Sequence, residues 1–115
     1  MGKLTGVVSH HDQELAELRA DRGLAVEYLR AAMVSLDNPD DRAGGLLALR
    51  TVAEAYGGLG VVAAQAGISR ESLYRALSPK GNPTLKTLLA VLKVVGLRLS
   101  VEAGAGDFRT DLGRA

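Results

Sequence analysis

The chain has 115 residues, 47% hydrophobic, 23% charged and 3% aromatic, with no Cys and no Trp. That is enough for one compact domain of roughly 100 residues and too little for two ordinary ones; disulfides, thiolate chemistry and Cys-based zinc sites are excluded. No stretch reaches the roughly 18 uncharged apolar residues that a membrane helix needs. Met1 to His11 lacks the basic region and long apolar run of a signal peptide. A soluble, cytoplasmic protein with no membrane partner is therefore expected. The net charge of +1 conceals a division. Residues 1–57 hold six Lys/Arg against nine Asp/Glu, while residues 58–98 hold Arg70, Arg75, Lys80, Lys86, Lys93 and Arg98 against Glu71 alone. A basic block inside a near-neutral chain is the electrostatic footprint of a nucleic-acid-binding face, although a solvated basic face has the same composition.

In chain order, Ser9 is placed to cap a first helix, with Asp12 approximating a capping box and Leu15 and Leu18 forming a short apolar edge. A second helix fits residues 24–36, where Ala25, Tyr28, Leu29, Ala32, Met33 and Leu36 share one stripe. Asp37-Asn38-Pro39-Asp40 is a turn, its proline favouring a fresh helix start. A third helix runs to about Tyr56 with Leu46, Leu49, Val52, Ala53 and Tyr56 inward, and Gly57-Gly58 stops it. Two brief helices, 59–66 and 70–77, flank the break Gly67-Ile68-Ser69. Ser78 to Pro83 is a loop, since a helix interior tolerates neither proline. Thr84 caps a last helix carrying Leu85, Leu88, Leu89, Leu92 and Val95, closed by Gly96. Leu97 to Glu102 alternates apolar and polar, the pattern of a strand. Residues 103–115 have little to bury and are expected to be a flexible tail.

The stretch from Leu59 to Ser78 carries the most information. Two helices crossing over a short turn need a small side chain where they approach, and Ala63 is small. Four residues on, the turn needs a left-handed backbone, and Gly67 stands there. Ile68 points to the core and Ser69 offers an N-cap hydroxyl. Leu73, Ala76 and Leu77 give the second helix its buried face, leaving Arg70, Glu71, Ser72, Tyr74 and Arg75 outward, a set able to reach base edges.

The Ala63–Gly67–Ile68–Ser69–Leu73 pattern resembles the helix-turn-helix of lambda-repressor-like (phage-repressor-like) regulators. Gly81-Asn82-Pro83-Thr84-Leu85-Lys86-Thr87-Leu88-Leu89 resembles the loop and helix that follow it in that superfamily. The longer run from Ser69 to Leu85, with Gly96-Leu97-Arg98-Leu99-Ser100-Val101, is similar to the addiction-module antidote proteins, antitoxins encoded beside a small RelE-like toxin. The resemblance is close over residues 45–102, loose over 12–44 and absent in the tail. It implies an all-α fold: N-terminal helices over 1–44, a DNA-binding domain with a short C-terminal strand over 45–102, and the tail over 103–115.

The resemblance also implies roles. Ser69 would begin a recognition helix, with Arg70, Glu71, Ser72, Tyr74 and Arg75 facing bases or nearby phosphates of a double-stranded operator. Arg suits guanine, and Glu71 would accept from a cytosine amine or orient Arg75. Lys80, Asn82, Thr84 and Lys86 would hold the DNA backbone. The entry Gly57-Gly58-Leu59-Gly60 is uncharged, where such folds often place a polar phosphate contact, so none is assigned there. No strand precedes this glycine run and no Gly-Lys-Ser/Thr follows it, so it is a helix break and not a phosphate loop.

A lone strand leaves unpaired backbone groups on both edges. Pairing with a second copy across a two-fold axis remedies this, with Leu97, Leu99 and Val101 on the buried face of a homodimer; folding back onto its own domain is the alternative. His10-His11 diverge on a helix with no third ligand placed beside them, so no metal site is expected, nor any cofactor. No Ser–His–acid or paired-carboxylate arrangement is present, so no catalysis is expected. The function expected is a dimeric transcriptional repressor of the antitoxin type, bound to DNA and to a small toxin. Two alternatives stay open: a stand-alone phage or mobile-element regulator, and a protein-interaction module whose DNA face has decayed.

Overall fold

Side-chain acceptors mark four of the helix starts. In the computed structural model, which describes residues 9–104, Ser9 Oγ accepts from the Asp12 N–H at 2.9 Å and opens α1 (His10–Ala20). An Asp21 carboxylate oxygen accepts from the Leu24 N–H at 3.1 Å and opens α2 (Arg22–Leu36). After the turn at 37–41 come α3 (Arg42–Ala55), α4 (Gly58–Ala66), α5 (Arg70–Ala76) and α6 (Leu85–Val94). Ser69 caps α5 by accepting from the Ser72 N–H at 3.0 Å, and Thr84 caps α6 by accepting from the Thr87 N–H at 3.1 Å. Each such cap contributes about 1 kcal/mol by satisfying a donor that the helix leaves without a partner.

The helices share one core. Leu18 of α1, Leu29 of α2, Leu46, Leu49 and Val52 of α3, Val62 of α4, Leu73 of α5 and Val91 of α6 are each 2% exposed or less. α2 lies along α3, α1 packs on both, and α4 sits between α3 and α6 with α5 against it. The axis bends by 106° between α3 and α4. Arginines at the α1–α2 junction close helix ends elsewhere. Arg19 Nε donates to the Ala55 carbonyl at 3.1 Å, at the end of α3. Arg22 Nε donates to the Val95 carbonyl at 3.0 Å, just past the end of α6. Carbonyls at a helix C-terminus have no intrahelical partner and carry the negative end of the dipole, so a guanidinium there is favourable. The N-terminal helices thereby fix the two longest supports of the α4–α5 region. No helix among the described residues is long and apolar enough to cross a membrane.

Two expectations are met only in part or not at all in the single chain. The stripe on α6 is inward only in part: Leu92 and Val95 are buried and Leu88 packs on the core, whereas Leu85 and Leu89 are 60% and 41% exposed and Thr87, Ala90 and Val91 are buried in their stead. Thr87 is tolerated inside because its hydroxyl pairs with Thr84 Oγ1 at 3.1 Å, which removes the cost of burying it. The expected C-terminal strand is not seen in the single chain: the described residues contain no strand, and 97–104 have no regular structure. Its first residue is already committed, because the Leu97 N–H donates to the Leu92 carbonyl at 2.9 Å and closes α6. The tail expected over 103–115 lies outside the described residues from 105 onward.

Candidate nucleic-acid interface

The short helix α5 owes its position to the turn before it. Gly67 adopts φ 72° and ψ 29°, the left-handed region. Its N–H donates to the Ala64 carbonyl at 3.2 Å, and the Ile68 N–H donates to the Ala63 carbonyl at 3.0 Å. This paired closure is a Schellman motif, and Ile68, the residue after the glycine, packs against the core as the motif requires. Only Ser69 then separates the turn from α5. Seven residues are too few for a helix to persist in water on its own. The Ser69 cap and the fully buried Leu73 and Leu77 hold it to the body.

The opposite face is open. Arg70, Glu71 and Arg75 are exposed, Tyr74 is 51% exposed and Ser72 is half-buried. The two serines are engaged locally: Ser69 Oγ lies 3.0 Å from Ser72 Oγ, and Arg75 Nη2 donates to Ser72 Oγ at 3.4 Å. Arg75 is thus oriented by Ser72; among the described residues it makes no ion pair with Glu71. The loop and α6 bracket the two ends of α5. Gly81 must be glycine because a Cβ there would overlap the Ala76 carbonyl, so the loop bearing the exposed Lys80 and Asn82 turns back tightly on the end of α5. Lys86 reaches the turn before α5: its Nζ would lie 3.1 Å from a Cβ on Gly67. Thr84 spends its hydroxyl on the α6 cap. The ten sequence-derived DNA-facing positions therefore lie on α5, on the turn before it and on the loop and helix start after it. The three dimer positions differ in exposure. Leu97 packs on its own core, whereas Leu99 is 41% and Val101 96% exposed.

Sequence reasoning missed Arg50. It sits on α3, yet its guanidinium carbon lies 4.3 Å from the centroid of the Tyr74 ring. Glu54, one turn further along α3, lines a cleft with Leu59, Arg70, Glu71, Tyr74 and Arg75, and also pairs with His11 Nε2 at 3.3 Å. That side of α5 mixes two cations with two carboxylates, so its electrostatics are selective and not uniformly positive.

The class defined here is a small all-α chain that displays a short, cation-bearing helix on a left-handed turn. Residues 10–103 match the family described as "Probable addiction module antidote protein", and the chain belongs to that family. An uncharacterized protein of Haemophilus influenzae is 51% identical over 41 residues, which are 36% of this chain and 42% of that protein. The match thus spans under half of that relative's length. No solved structure matches.

Proposed function

We propose that the chain is a DNA-binding antitoxin: a dimeric repressor that occupies its own operator through α4, the Gly67 turn and α5 acting as a lambda-repressor-like helix-turn-helix, and that neutralises a small RelE-like toxin in the cytoplasm without catalysis. The observation that carries the DNA reading is the display of Arg70, Glu71, Tyr74 and Arg75 on a helix anchored from behind by Leu73. A helix so held can enter a major groove while its own backbone stays packed. Lys80 and Lys86, bracketing α5, supply charge for phosphates on either side of the groove. Family membership supports the antitoxin role. The Leu99 and Val101 side chains, exposed past the end of α6, are the surface through which a second copy pairs, Leu97 rooting that segment in the core. Two copies place two recognition helices about one helical turn apart on a palindromic site.

A binding selection from random and upstream genomic duplexes tests this. Recovery of a two-fold symmetric site, with affinity that falls steeply as salt rises, is expected. No enrichment over an unrelated protein would overturn the repressor reading. Light scattering at micromolar concentration that reports monomer alone would overturn the dimer.

A further inference from the structure

We propose that Arg50, Tyr74 and Ser78 form a phosphate site at the junction of α3 and α5, one that takes a DNA backbone phosphate; this rests on the DNA-binding reading above and extends its surface onto α3. The Arg50 guanidinium lies 4.3 Å from the centroid of the Tyr74 ring. Its Nη1 donates to Ser78 Oγ at 3.4 Å, and Ser78 Oγ in turn donates to the Tyr74 carbonyl at 2.6 Å. The stacking and the Ser78 hydroxyl together hold the cation in place. A guanidinium carries five N–H donors. Ser78 takes one here, and no carboxylate lies in ion-pair range among the described residues. The cation is half-buried and partly desolvated by the ring. A planar fork held by stacking is pre-organised for the paired oxygens of a phosphate, and the Tyr74 on which it stacks is 51% exposed.

The rival to this is a purely structural clamp that ties α5 to α3. The two are separated by titrating the full-length chain with a short duplex of mixed sequence across a salt series, with thermal melts recorded alongside. Arg50→Gln is expected to weaken binding several-fold and to lower the salt slope by about one unit, the signature of one lost phosphate contact. Arg50→Lys is expected to keep the slope and lose part of the affinity, because the charge remains without the stacked fork. Tyr74→Leu, which removes the platform and keeps the charge, is expected to weaken binding without changing the slope. In the Arg50→Gln background it should add less than its separate effect, since both residues serve one site. An Arg50→Gln chain that melts lower yet keeps the wild-type slope overturns the site and leaves the clamp. Should Arg50→Gln not fold, wild-type affinity in Tyr74→Leu overturns it equally. Wild-type protein with no salt-dependent affinity for duplex would instead sink the DNA-binding reading itself.

Discussion

Gly67→Ala puts the geometry of the turn to a quantitative test. Gly67 sits at φ 72°, where an L-residue crowds its own carbonyl. That strain costs about 1–2 kcal/mol. Part is offset, because alanine narrows the unfolded ensemble by about 0.4–1 kcal/mol. The new methyl would also stand 3.1 Å from Lys86 Nζ. That atom is the far end of an exposed, flexible side chain and gives way by a few tenths of an ångström at little cost. The net is a destabilisation of about 1 kcal/mol, or a melting temperature lower by roughly 4–8 °C for a domain of this size. Gly67→Asn should fall by less, since asparagine tolerates the left-handed region better. Circular-dichroism melts at one pH and salt decide the matter. A further double variant, Gly67→Ala with Lys86→Ala, separates the causes. If the strain is in the backbone, the second change restores nothing. Gly67→Ala melting at or above wild type, or full recovery in the double variant, would refute this account of the turn.

Arg75→Ala should weaken operator binding by about 1–3 kcal/mol and relax preference at one base pair; an equal loss on operator and random duplex would make Arg75 a backbone contact only. Lys86→Ala should weaken both duplexes alike and flatten the salt slope by about one unit, and an unchanged slope would remove Lys86 from the interface. Tyr28 donates to Glu14 Oε2 at 2.7 Å. That hydrogen bond first, then burial and the charges of Glu14 and Glu17, hold its phenol above the ordinary value of 10.0. The folded chain therefore keeps the proton more tightly than the unfolded one. Its contribution is complete below about pH 10 and is lost as pH rises through the folded value. Tyr28→Phe should cost about 1 kcal/mol at neutral pH and should reduce the loss of stability seen in alkaline melts; an identical alkaline slope in both proteins would count against the assignment.

The α4–α5 turn was legible because every requirement on it is local. A small Ala63, a left-handed Gly67, an apolar Ile68 and a capping Ser69 must follow in fixed order, and each is dictated by backbone geometry within a few residues. The same locality made the caps at Ser9 and Thr84 legible. α6 was read only in part: Leu88, Leu92 and Val95 do meet the core, but counting leucines gives size and not direction. Burial of Thr87 depends on a hydroxyl pair with Thr84 that offsets its polarity, and Leu85 and Leu89 are left outside by where α4 and α3 press on the helix.

The two remaining differences have one physical origin: a residue's role was assigned from its segment when it is set by what the fold brings against it. Arg50 lies in the half of the sequence with excess acid, so summing charge by segment hides it. Folding carries it to Tyr74, 24 positions along the chain, so that a cation of the acidic half stands beside the basic one. Leu97 begins an alternating pattern, so periodicity gives it to a strand. Its N–H is nonetheless the donor that the last turn of α6 lacks, and its side chain completes the closure by packing inward. A strand edge needs free N–H groups, so any pairing with a second copy can start only beyond Leu97. That confines a strand-mediated dimer to the stretch around Leu99 and Val101. Substituting charge at Val101, which is 96% exposed, should therefore weaken such a dimer while leaving the monomer's melting temperature intact, whereas the same change at Leu97 should lower that temperature as well.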